Sequence, residues 1–110
     1  MIYYPDKWLV LRLITPEETF YKVFATWYGG YYQGDSWKLN SGIESCSIKE
    51  GRIEFLGSSG SIYSCMFDMQ GTTGYGSTVL SGLVDSANGT GVSIEVVMFD
   101  SIDELKDIFK

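Results

Sequence analysis

Lys7-Trp8-Leu9-Val10-Leu11-Arg12-Leu13-Ile14 is the stretch that decides how this chain folds. Leu9, Leu11 and Leu13 alternate with Trp8, Val10 and Ile14, so an extended segment here is apolar on both sides. Successive strand side chains point to opposite faces, and a strand apolar on both faces is covered on both. Thr15-Pro16-Glu17-Glu18 follows as a turn. Phe20 to Tyr28 alternates again, with Tyr21, Val23, Ala25 and Trp27 on one face and Phe20, Lys22, Phe24, Thr26 and Tyr28 on the other. The two segments read as a hairpin inside a larger sheet.

Downstream, Gly29 to Ser41 is broken by glycines, with room for a short strand at Trp37 to Leu39. Ile43 to Lys49 and Arg52 to Leu56 read as strands joined at Glu50-Gly51. A two-residue loop there sets Ile48 opposite Ile53 and Cys46 opposite Phe55, at the cost of Lys49 beside Arg52. After a turn over Gly57 to Ser61, Ile62 to Phe67 reads as the next strand. Simple hairpin register sets Cys65 opposite Glu54, on the other face from Cys46. A disulfide would then need a register shift, and both cysteines are expected as free thiols acting as small hydrophobes.

Asp68 to Thr78 reads as loop. Val79, Leu80, Leu83 and Val84 then recur at helical spacing, with Ser77 or Thr78 to cap the start and Gly89 to serve the end. A second helix is therefore expected near 78–87, although Gly82 within it costs about 1 kcal/mol relative to Ala. A strand pairing back through Ser86 to Gly91 is the alternative. Val92 to Phe99 reads as a strand with Val92, Ile94, Val96 and Met98 on one face. Ser101 with Glu104 forms a capping box, and Ile102, Leu105, Ile108 and Phe109 form an apolar stripe. Asp100, Asp103 and Glu104 at one end, and Lys106 and Lys110 at the other, suit the helix macrodipole. The expected fold is α+β and a single domain over residues 1–110. A mostly antiparallel sheet of about five to seven strands carries the C-terminal amphipathic helix on one face.

Composition sets limits on function. The chain is 45% hydrophobic over 110 residues, enough for a core without disulfide or metal staples. Met1 to Gly57 carries six basic and seven acidic residues, whereas Ser58 to Lys110 carries two and seven. No Lys or Arg lies between Arg52 and Lys106. Cations on phosphates supply most nucleic-acid affinity, so direct DNA or RNA binding is not expected, nor is attachment to an anionic membrane. Trp8 to Ile14 is interrupted by Arg12 and is too short to span a bilayer. Asp6 and Lys7 ahead of it, with no small-residue cleavage site after it, do not make a signal peptide, and a cytoplasmic location is expected.

Histidine is absent, which rules out Ser-His-Asp and Cys-His nucleophile pairs. Gly34-Asp35-Ser36-Trp37 matches the Gly-Asp-Ser block of some lipolytic hydrolases, but those enzymes use a histidine base. Two distant cysteines cannot make a zinc shell, no run resembles an EF-hand loop, and no carboxylate pair stands out for glycoside hydrolysis. The chain is therefore expected to be non-enzymatic, with no cofactor and no metal. Two glycine loops, Gly57 to Ser61 and Gly71 to Gly76, lack the Lys of a phosphate-binding loop. The second could still hold an anion if it opens into a helix.

The stretch richest in aromatics is Phe20 to Trp37, with Phe20, Tyr21, Phe24, Trp27, Tyr28, Tyr31, Tyr32 and Trp37. So many rings exceed what one short strand buries, and exposed Tyr and Trp mark contact surfaces. Asp35, Lys38 and Asn40 supply polar groups among them, giving the aromatic anchors and directional hydrogen bonds of a hot spot. Tyr28, Tyr31, Tyr32, Asp35, Trp37, Lys38 and Asn40 are the candidate binding residues, against the alternative that Trp27 and Trp37 are core. A homodimer face is a further use of such a patch.

Trp27-Tyr28-Gly29-Gly30-Tyr31 followed by Gly34-Asp35-Ser36-Trp37-Lys38-Leu39-Asn40-Ser41-Gly42-Ile43 resembles small uncharacterised proteins encoded by bacteriophages and prophages of enteric bacteria. The resemblance covers about a third of the chain and carries no catalytic residues. It implies a class: small acidic phage proteins often bind and redirect host machinery, including defence systems. A modulator or inhibitor of a host protein, working in the host cytoplasm, is the leading expectation. The alternatives are a nucleotide or small-molecule sponge, using ring stacking and the Gly71 to Ser77 loop, and an acidic nucleic-acid mimic.

Overall fold

The structure, a computed structural model, describes residues 1–29 and 34–109. In chain order the elements are β1 (Ile2–Tyr3), β2 (Lys7–Ile14), β3 (Thr19–Trp27), β4 (Ser36–Leu39), β5 (Ile43–Lys49), β6 (Arg52–Gly57), β7 (Ile62–Cys65), α1 (Gly74–Asn88), β8 (Ser93–Val97) and α2 (Ile102–Ile108). A 3-10 turn at Phe67–Met69 lies between β7 and α1. The α+β class is as expected, but the strands divide into two four-stranded sheets, β1-β7-β6-β5 and β4-β3-β2-β8. All neighbours are antiparallel except β1 and β7.

Two sheets form because two strand groups each present an apolar face and bury it most completely against the other. Trp8, Val10, Val23 and Ala25 from the β2–β3 hairpin meet Ile53, Phe55, Tyr63 and Cys65 from β6 and β7. Phe99, Leu105 and Phe109 complete this core, so α2 closes the space between the sheets rather than lying on the face of one. The Phe109 ring stands edge-on to both Tyr21 and Phe55, at 5.3 and 5.9 Å between centroids. Each such side chain contributes roughly 1.5–3 kcal/mol by leaving water. The other face of the hairpin, Leu9, Leu11 and Phe24, is covered by Val79, Leu80 and Leu83 of α1.

Polar clamps hold the layers together. Trp8 is fully buried, and its Nε1 donates to the Met66 carbonyl at 2.7 Å. Gln70 Nε2 donates to the Phe99 carbonyl, and the Phe99 amide donates to Gln70 Oε1, both at 2.9 Å. That pair pins the chain just beyond β8 and delivers α2 to the core.

The hairpin register Ile48↔Ile53 and Cys46↔Phe55 is as expected, with Glu50 and Gly51 both at positive φ. The β6–β7 register differs. Cys65 lies opposite Ile53, not Glu54, because the intervening turn is closed by a Gly57 amide to Ser61 carbonyl bond and begins one residue after the Leu56↔Ile62 pair. This register keeps Ile53, Phe55, Tyr63 and Cys65 on one buried face, which also carries Cys46. The thiols are free. With β6 between their strands and a two-residue offset along them, their backbones stand roughly 12 Å apart, beyond the reach of a disulfide.

Helix α1 begins at Gly74, four residues before the expected start, and Thr73 rather than Ser77 or Thr78 caps it. Thr73 Oγ1 accepts from the Gly76 amide at 3.0 Å, and the Thr73 amide donates to Thr26 Oγ1 at 3.4 Å. The helix runs through Ser86 and Asn88, which removes the strand alternative. Strand β8 is shorter than the expected Val92 to Phe99, and as a sheet edge it leaves Val96 and Met98 of the expected apolar face exposed.

Gly76 and Gly82 sit in the same helix under opposite constraints. A Cβ on Gly76 would overlap Thr72 Oγ1 and lie 2.5 Å from Thr26 Cγ2, whereas one on Gly82 would meet nothing within 4 Å. Gly76→Ala should lose about 1–3 kcal/mol of stability by overpacking. Gly82→Ala should gain up to about 1 kcal/mol from helix propensity. Urea denaturation of the two variants checks both signs.

Candidate functional site

The alternation of β3 and β4 sorts the aromatic segment by face. Thr26 pairs with Trp37 and Ala25 with Lys38, so Trp37 projects to the α1 side of its sheet and Lys38 to the opposite side. Phe24, also on the α1 side, stacks on Trp37 at 5.8 Å between centroids. Tyr28 continues the parity of Phe24 and Thr26 just beyond the strand. Gly76 presses on Thr26, which brings the first turn of α1, and with it Tyr75, to the same end of the sheet. Tyr28, Tyr75 and Trp37 are 56%, 47% and 38% exposed. Three large rings are thus left in solvent around the junction of β3, β4 and the α1 N-terminus.

Hydrogen bonds tie down the backbone of this rim. Asp6 Oδ2 accepts from the Tyr28 amide at 2.8 Å, and the Asp6 amide donates to the Thr26 carbonyl at 3.0 Å. Asp35 Oδ1 accepts from the Gly29 amide at 3.3 Å. The rings are held on fixed backbone, which lowers the entropy lost when a partner covers them.

The remaining candidates divide. Tyr31 and Tyr32 lie outside the described residues. Lys38 places its ammonium 5.2 Å from the Tyr3 ring centroid, in a group with Trp27 and Tyr63 on the inter-sheet side. It is not part of the rim with Trp37. Trp27 is half-buried, and its Nε1 donates to the Tyr4 carbonyl at 2.9 Å. Asn40 is a correction: it is only 4% exposed and makes no part of a contact surface. Its amide donates to the Val23 carbonyl at 3.0 Å and its Oδ1 accepts from the Val23 amide at 2.8 Å, extending the β3–β4 pairing by one residue. Gly57 makes room for it, since a Cβ there would lie 3.3 Å from Asn40 Nδ2.

Tyr75 is the rim residue that sequence reasoning missed. Gly74-Tyr75-Gly76 reads as loop, and only Thr73 at a capping distance from Gly76 signals that the helix has already begun. The same loop is poorly suited to an anion. The amides of Gly71, Thr73, Gly76 and Ser77 are already donated to Trp8, Thr26 and Thr73.

Among the described residues, no three of His, Cys, Asp and Glu gather closely enough to hold a metal ion. Burial pushes the Cys65 thiol well above its usual range and raises that of Cys46, so both stay protonated and weakly nucleophilic at neutral pH. Desolvation likewise moves Tyr63 up to about 12. No described helix is long and apolar enough to cross a membrane. No protein-family model, curated protein or solved structure matches the chain.

Asn40→Ala leaves the buried Val23 amide without its acceptor and should cost about 1–3 kcal/mol of stability. Thermal denaturation reads the loss. A variant with wild-type stability would return Asn40 to the surface.

Proposed function

We propose that this chain is a non-enzymatic binding protein that captures another protein through the rim of Tyr28, Trp37 and Tyr75. The observation that carries the reading is the exposure of three large rings on hydrogen-bonded backbone at one end of a sheet. Aromatic anchors give large contact area at small entropic cost and dominate interface hot spots. The absence of histidine removes imidazole acid–base chemistry, and the raised thiols are weak nucleophiles at neutral pH. The phage-type resemblance of the segment from Trp27 to Ile43 directs the proposal to a host-cell protein, with the chain acting as its modulator or inhibitor.

The test is affinity capture from an enteric bacterial lysate with the native chain and with a Tyr28→Ala/Tyr75→Ala double variant. Neither ring is buried, so the melting temperature should change little. A protein retained by the native chain should be lost, or weakened at least about a hundredfold in purified form, by removal of two anchors worth ~2 kcal/mol each. Equal retention by both proteins would remove these rings from the interface.

A further inference from the structure

On the side of α1 away from Trp37, the sheet ends at β8. An edge strand presents unpaired backbone groups, and folded proteins usually blunt such edges with lysine, proline, a bulge or short length. The opposite edge of this sheet, β4, is four residues long and carries Lys38. Strand β8 has no lysine or proline, and its register against β2 is unbroken from Ser93 to Val97. Its charged residue, Glu95, is turned back onto its own sheet, where Arg12 Nη1 lies 3.2 Å away.

A groove of about 280 Å³ runs alongside this edge, between β8 and α1. Leu80, Val84 and Val96 form its apolar wall, with Ser77, Ser81 and Asp85 at its polar margin. Val96 and Met98, at 45% and 55% exposed, continue the apolar surface along the edge. The groove falls just below the roughly 300–1,000 Å³ of small-ligand pockets and suits individual side chains. A strand laid along β8 would align its alternate side chains with Val96, facing the groove.

Charge selects the occupant. Asp85 is the charged residue of the groove, and among the described residues no Lys or Arg forms an ion pair with it. A second copy would bring another chain of net charge −6 to the same acidic edge, so self-pairing is disfavoured. We propose that β8 and α1 form a second binding site, which takes an extended cationic peptide segment as a fifth strand of this sheet. The segment would place an apolar side chain beside Val96 and a Lys or Arg two residues away, on the same face, within reach of Asp85. Backbone pairing supplies affinity in this mode, and the groove supplies selectivity.

The probe is acetyl-Thr-Lys-Thr-Val-Thr-Lys-Thr-amide, titrated into the isotope-labelled protein and followed by NMR. Saturable shifts are expected at the amides of Ser93 to Met98 and of Ser77 to Asp85. The same peptide with Glu for Lys should give none. Asp85→Asn should weaken binding about tenfold by removing a charge-assisted hydrogen bond, and Val96→Lys should abolish it. The amide spectrum of each variant reports its folding, and the two substitutions lie at exposed positions. Tyr28→Ala/Tyr75→Ala should leave the titration unchanged, which keeps this site separate from the aromatic rim. The proposal is overturned if the Lys peptide gives no saturable shifts or if the Glu peptide binds equally. It is also overturned if the β8 amides shift with protein concentration alone and sedimentation shows a dimer.

Discussion

Strand β2 must be buried on both faces, and that constraint organises everything around it. Its Trp8 and Val10 side chains enter the core between the sheets, while Leu9 and Leu11 lie under α1. A strand of this kind cannot sit in a two-layer fold with one wet face. It forces sheet, sheet and helix to stack in that order. The β6–β7 face covers one side of the hairpin, α1 covers the other, and α2 closes the gap that remains between the sheets.

The location of candidate function follows from how α1 covers its sheet. A single helix does not reach both edges of four strands. On the β4 side it leaves Trp37, Tyr28 and its own Tyr75 in water, and on the β8 side it leaves a groove floored by Val96. Close packing of Gly76 on Thr26 fixes the helix at the first of these margins. Both surfaces are therefore by-products of the same packing, and both stand on hydrogen-bonded strands.

Much of the fold was legible in the sequence because side-chain periodicity and capping residues survive in most of its elements. The β2–β3 hairpin, the Glu50-Gly51 turn, the short β4 strand and the Ser101-capped helix could all be read from residue spacing. Division into two sheets was not legible, since alternation gives faces but not which face meets which. The β6–β7 register depended on where one hydrogen bond closes the Gly57 to Ser61 turn, and a shift of one residue moved Cys65 to the face of Cys46. The early start of α1 was hidden by Gly74 and Gly76, which read as loop until Thr26 is seen pressing on the helix. The candidate site was half legible. Tyr28 and Trp37 were found by ring density, whereas Asn40 was mistaken for a contact residue because a side chain that completes a strand pairing has no sequence signature.

The division of rings between core and solvent is the claim on which the functional account stands. Photochemically induced nuclear polarisation with a flavin dye detects Tyr and Trp rings that the dye can touch, without any knowledge of a partner. The account predicts polarised signals from Tyr28, Tyr75 and Trp37 and silence from Trp8 and Tyr63. Silence from Tyr28 and Tyr75, with a polarised Trp8, would contradict it.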